Sequence, residues 1–197
     1  VMFIGFPASI GLMLLRVPLT ATVFQGESFS PEDTERVATI LLAYAPAIWA
    51  YSANQVLTRA FYARGEPMKP VMVAMSMVVL NFILNITLIW TPLRTAGLAL
   101  STAFCAILQM IILQRLLAHH VGPMITGDVR TSWLRTLLVS AVMGGVLAGA
   151  MMFAPREASW LVMASVLMGM VILGGGTFFV GARILRMPEL RWALGKQ

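Results

Sequence analysis

The chain has 197 residues, of which 59% are hydrophobic and only 11% charged, with a mean hydropathy of +0.85. Soluble domains carry about 25% charged residues, so this composition argues against a water-soluble body and for an all-α membrane protein. The net charge is +6, but the cations sit in short connectors and a tail instead of interleaving with aromatics, which sets nucleic-acid binding aside; the lone Cys105 excludes an internal disulfide framework and a cysteine-based zinc site.

Val1 already lies within an apolar run and no basic segment precedes it. The chain therefore reads as a piece of a longer membrane protein, not as a secretory leader with a mature domain. The first span is expected over 1–24, with Pro7 and Pro18 inside it and Arg16 near its middle. Arg16 is read as an interfacial anchor that snorkels, in preference to a substrate contact. A polar loop follows. In it Ser30 is a helix cap, Pro31 suits the first helical position, and Glu32 and Asp33 favour the positive end of the helix dipole.

The second span is expected over 36–58, with a kink at Pro46. Asn54, Gln55, Thr58 and Arg59 make its last turns polar, either because the helix nears the interface or because it walls a water-filled cavity. The connector 59–71 carries two prolines, one glycine, three cations and one anion, and reads as a tight turn. The third span is expected over 70–91. Eleven Val, Leu, Ile and Phe residues between Val71 and Trp90 favour insertion by roughly 3–7 kcal/mol at most. Asn81 and Asn85 lie four apart on one face that should point at protein or water; interhelical hydrogen bonding and a cavity role are equally open.

A short turn leads to the fourth span, 95–118, where Thr102, Cys105 and Gln109 share a stripe suited to helix packing. A cytoplasmic loop is expected over 120–135; the adjacent His119 and His120 read as solvated, with no metal site. Two further spans fill 136–182. The first has Gly145 and Gly149 in a GxxxG pattern that lets a helix approach closely. The second has Gly169 and the run Gly174, Gly175 and Gly176, which implies a bend, a groove or close packing. Residues 183–197 form a basic tail suited to an anionic leaflet.

Six spans place ten of the fourteen cations on one side of the membrane. That side is expected to be cytoplasmic, and the C-terminus with it. Trp90, Trp133 and Trp160 fall at span ends, as an aromatic belt requires.

Four stretches carry a family resemblance. Pro18-Leu19-Thr20 leads to Phe24 and Phe29. Arg59-Ala60-Phe61-Tyr62-Ala63 is followed by Glu66 and by Pro70-Val71. Asn81 and Asn85 lie in the next helix, and Ala96-Gly97-Leu98-Ala99-Leu100 opens the one after. In this order and spacing the chain resembles the C-terminal part of the MurJ (MviN) lipid II flippases, within the multidrug/oligosaccharidyl-lipid/polysaccharide exporter superfamily. Lys69 stands where the family has threonine, and Pro67 follows the acidic residue where the family has none.

The resemblance implies an all-α polytopic fold: six transmembrane helices, about the ninth to fourteenth, of a MurJ/MATE-like C-terminal lobe. It also implies alternating-access transport of the undecaprenyl-pyrophosphate-linked peptidoglycan precursor across the bacterial inner membrane. The implied partners are membrane lipids, lipid II and an N-terminal lobe that precedes this segment. Asn54, Arg59, Asn81 and Asn85 become candidates for the substrate cavity, and Gly145, Gly149, Gly169, Gly174, Gly175 and Gly176 for a lipid-tail groove. No enzyme motif, catalytic residue, metal site or cofactor is expected. The rival readings are another exporter of the superfamily and a non-transporting membrane scaffold.

Overall fold

The structure is a computed structural model that describes residues 2–24, 30–92, 94–122, 127–153, 160–187 and 189–190. Phe29, the Pro155–Ser159 turn and the basic tail from Arg191 lie outside the described residues. Seven helices follow one another: α1 (Met2–Phe24), α2 (Pro31–Tyr44), α3 (Ala47–Ala63), α4 (Met68–Leu88), α5 (Arg94–Val121), α6 (Gly127–Met152) and α7 (Trp160–Ile184). Among the described residues, α1, α4, α5, α6 and α7 are long and apolar enough to cross a membrane.

The helix count exceeds the six expected because the second span is broken into α2 and α3. Pro46 has no N–H to give, so the helical ladder lapses at Ala45 and Pro46. Both residues keep right-handed helical dihedrals, at φ −53° and −62°, which makes the break a kink and not a reversal. The α2 start follows its sequence signals. Ser30 Oγ accepts from the Asp33 N–H at 3.2 Å, and the Asp33 carboxylate accepts from the Ser30 N–H at 3.2 Å, a reciprocal cap with Pro31 at the first helical position.

The loop expected over 120–135 is largely helical. α5 runs on to Val121, Gly122 takes φ +89°, and α6 begins at Gly127. The charges at Asp128, Arg130 and Arg135 masked this from a hydropathy reading, although charged side chains fit the first turns of a helix that emerges from the bilayer.

α3 closes on a glycine turn. Gly65 adopts φ +72°, its N–H bonds the Tyr62 carbonyl, and the Glu66 N–H bonds the Phe61 carbonyl, both at 3.0 Å. This is the Schellman arrangement, and glycine bears its left-handed residue at least cost. Glu66 then accepts from Lys69 Nζ at 2.9 Å, with Arg64 Nε 3.9 Å away.

The helices pack as two groups joined by α1. In one group, α5 packs against α2, α3 and α4. Its core sets Ala47, Ala50, Ala53, Leu57 and Phe61 of α3 on Ala103, Ala106, Met110, Leu113 and Leu117 of α5. Alanine at three- and four-residue spacing on both helices lets their backbones come close, the packing mode that substitutes for hydrophobic driving force in lipid. In the other group, α6 and α7 pair. α1 packs on α2 and α3 along one side and on α6 and α7 along the other.

Candidate functional site

Between α1, α6 and α7 lies an open groove of about 540 Å³. α1 contributes Phe3, Pro7, Gly11 and Leu15 to its wall, α6 Met143 and Leu147, and α7 Met170, Gly174, Gly175 and Phe178. Every lining side chain is apolar, so nothing in the groove asks for water or an ion.

Two features open the space. Gly174 holds α7 against α6: a β-carbon there would lie 3.2 Å from a methyl of Leu147. Gly11 and Gly175 have no atom within 4 Å of where a β-carbon would stand, so their missing side chains leave groove volume and not a helix contact. α1 and α7 are fastened above and below this space. Trp160 Nε1 donates to the Thr22 carbonyl at 2.9 Å. At the opposite end the rings of Phe3 and Phe178 meet at 5.0 Å between centroids.

The predicted glycines divide. Gly174 and Gly175 line the groove; Gly145, Gly149, Gly169 and Gly176 do not. Among the described residues the GxxxG pattern makes no close contact: neither Gly145 nor Gly149 has a neighbour within 4 Å of an added β-carbon, whereas one added at Gly144 would stand 3.0 Å from a methyl of Ile10 on α1. The close approach expected of that motif falls one residue earlier, because the face of α6 turned to α1 carries Gly144.

The candidate cavity residues are not gathered into one site. Asn54 is buried, and its Nδ2 donates to the Ala106 carbonyl of α5 at 2.9 Å while Oδ1 has no partner among the described residues. Asn85 Nδ2 donates to Asn81 Oδ1 at 2.9 Å, and Asn81 Nδ2 donates to Thr102 Oγ1 at 3.3 Å. The Ser101 hydroxyl meets Asn85 Oδ1. These groups form a polar ladder between α4 and α5, the interhelical alternative left open above. Arg59 is exposed near the end of α3.

Arg16 lies within α1 and bonds its own helix. α1 continues eight residues beyond it to Phe24, about 12 Å at 1.5 Å per residue. Its guanidinium turns back toward the N-terminus, where Nη1 donates to the Met13 carbonyl at 2.5 Å. One turn on, Pro18 offers no N–H to the ladder, and the hydroxyls of Thr20 and Thr22 each bond a carbonyl at 2.7 Å, those of Arg16 and Pro18. The carbonyl that Pro18 deprives of its ladder partner is that of Leu14, so these hydroxyls add to bonds the helix already makes and do not replace the lost one.

The α1 wall of the groove is the element that sequence reasoning missed. Its signal is present: Ile4, Pro7, Ala8, Gly11, Leu15 and Leu19 recur at helical spacing, small residues in the middle and large ones at the rims.

A kinked all-α bundle with membrane-length helices and an open apolar groove defines a polytopic membrane protein. The family model for "Lipid II flippase MurJ" matches residues 1–171. The chain belongs to that family. A probable lipid II flippase MurJ of Vibrio cholerae is 30% identical over 201 residues, covering 98% of this chain and 37% of the relative. One of Rickettsia prowazekii is 23% identical over 189 residues, covering 94% and 37%. A solved structure of lipid II flippase MurJ in an inward closed conformation superposes with a TM-score of 0.77 at 19% identity, over 93% of this chain and 36% of that one, which establishes the shared fold. The chain spans about 37% of the length of these relatives.

Proposed function

We propose that this chain is the C-terminal part of a lipid II flippase, which carries the undecaprenyl-pyrophosphate-linked peptidoglycan precursor across the bacterial inner membrane by alternating access. In this reading it supplies the seat for the lipid's hydrocarbon tail, performs no covalent chemistry, and works with an N-terminal lobe that grips the headgroup. The observation that carries the reading is the wholly apolar groove between α1, α6 and α7. A long prenyl chain gives up no hydrophobic burial by leaving the bilayer for such a site, and dispersion contacts with the lining offset the freedom it loses there. The absence of Lys, Arg, Asp and Glu from the lining fits a tail site and not a pyrophosphate site. The cationic ends of α3, α5 and α7 lie at the cytoplasmic face in this reading, and the C-terminus with them.

The test is depletion of the native flippase from cells rescued by the full-length protein. Gly175→Phe, which fills the groove, fails to restore growth and leaves precursor in the inner leaflet. Gly145→Ala, outside the groove, restores both. Full rescue by Gly175→Phe overturns the reading.

A further inference from the structure

We propose that Phe3 and Phe178 form an end stop of the groove, so that a hydrocarbon occupant terminates at their rings and does not pass through to the aqueous surface beyond. This rests on the reading of the groove as a tail site.

Both residues line the groove, one from the start of α1 and the other from near the end of α7. Their rings meet at 5.0 Å and 59°, a tilted contact that leaves no gap for a methylene chain. The space behind them is filled: Val139, Ala182, Met187 and Leu190 form a buried cluster, and both rings pack against it.

The backing is a deliberate reversal of the chain. α7 ends with Arg186 at φ +48°. The Met187 N–H returns to the Ala182 carbonyl at 3.1 Å and the Arg186 N–H to that of Arg183 at 3.1 Å. This is the same terminal arrangement as at Gly65, with a non-glycine residue bearing the left-handed conformation. Its effect is to bring Met187 beneath the aromatic pair, where it is 1% exposed. Ser132 of α6 contacts the Glu189 carboxylate, which fastens the turn to the neighbouring helix. A buried methionine, a left-handed arginine and a cross-helix polar contact together hold this segment against the aromatic pair.

A groove stopped at this end is filled from its open side. The stop also makes the length of retained hydrocarbon a property of two side chains.

The test uses the full-length protein in vesicles with diazirine-bearing alkyl phosphates of graded chain length, and peptide mass spectrometry to map the adducts. In the wild type, adducts fall on Gly11, Leu15, Val171 and Gly175 and not on Ala182 or Met187. Phe178→Ala and Phe3→Ala carry adducts onward to Ala182 and Met187 and move the preferred probe to longer chains. Phe178→Trp moves it to shorter ones. Phe178→Leu keeps an apolar group on the cluster and gives the same outward displacement if alanine unfolds the protein. Met187 adducts in the wild type, or maps unchanged in all variants while Gly175 is still labelled, overturn the stop and leave the groove reading standing. An absence of adducts on α1 and α7 for every probe overturns both.

Discussion

A β-carbon built on Gly5 stands 2.7 Å from the β-carbon of Trp49 and 2.9 Å from its α-carbon. The clash is with backbone, so no rotamer change relieves it, and α1 can lie against α3 only because position 5 is bare. Gly5→Ala must push the two helices apart and should cost about 1–3 kcal/mol, the usual range for overpacking. Gly11→Ala, with no atom within 4 Å, should change stability by less than about 0.5 kcal/mol. Thermal unfolding of the two variants in detergent, monitored by helical circular dichroism, checks the contrast.

The Asn81–Thr102 bond is one of the side-chain contacts by which the polar ladder crosses from α4 to α5, another being Ser101 to Asn85. In membrane proteins such bonds are worth about 0.6 kcal/mol on average and about 1.7 at most. A double-mutant cycle with Asn81→Ala and Thr102→Ala should return a coupling within that range. A coupling of zero would mean that Asn81 faces water, and cysteine placed at position 81 would then react with a water-borne thiol reagent.

The two left-handed helix ends predict opposite outcomes. Gly65→Ala forces a β-carbon into φ +72° and should cost about 1 kcal/mol. Arg186→Gly relieves the same strain at φ +48° and should gain about as much. Equilibrium unfolding of both variants measures the pair; destabilisation by Arg186→Gly would show that the arginine side chain does more at that turn than its backbone costs.

Asp33 provides a pH signature. Its bonds from the Ser30 hydroxyl and N–H, and then the nearby Arg36, hold the carboxyl below its ordinary value of 3.8. The folded value is depressed, so the cap contributes fully above 3.8 and its contribution fades as pH falls through the lower folded value. Ser30→Ala should move the Asp33 titration, followed by carboxyl carbon NMR, back up toward 3.8. No movement would mean that the backbone N–H of residue 30 or Arg36, and not the Ser30 hydroxyl, sets the shift.

Uncharged runs separated by charged turns were enough to place the membrane-length helices, and the Ser30 and Pro46 signals were read correctly because each acts through its own backbone. What escaped was everything that depends on a partner. Gly144 and Gly145 are indistinguishable in sequence, yet only one meets Ile10. The groove was assigned to the last two spans by resemblance alone, while half its wall comes from α1, more than a hundred residues earlier. Asn54, Asn81 and Asn85 gave no sign of whether they would bond a helix or line a cavity, since an amide does either. The turn at Arg186 and Met187 is hidden in sequence because an arginine, not a glycine, occupies its left-handed position.

α1 touches both helical groups, while α6 and α7 have little contact with α2 to α5. A helix in that position acts as a shaft shared by two rotors. If either group tilted, α1 would have to follow or bend, and Pro7 and Pro18, each without an N–H for the ladder, are where bending costs least. A substitution that stiffens those two positions would tie the groups more tightly to one another.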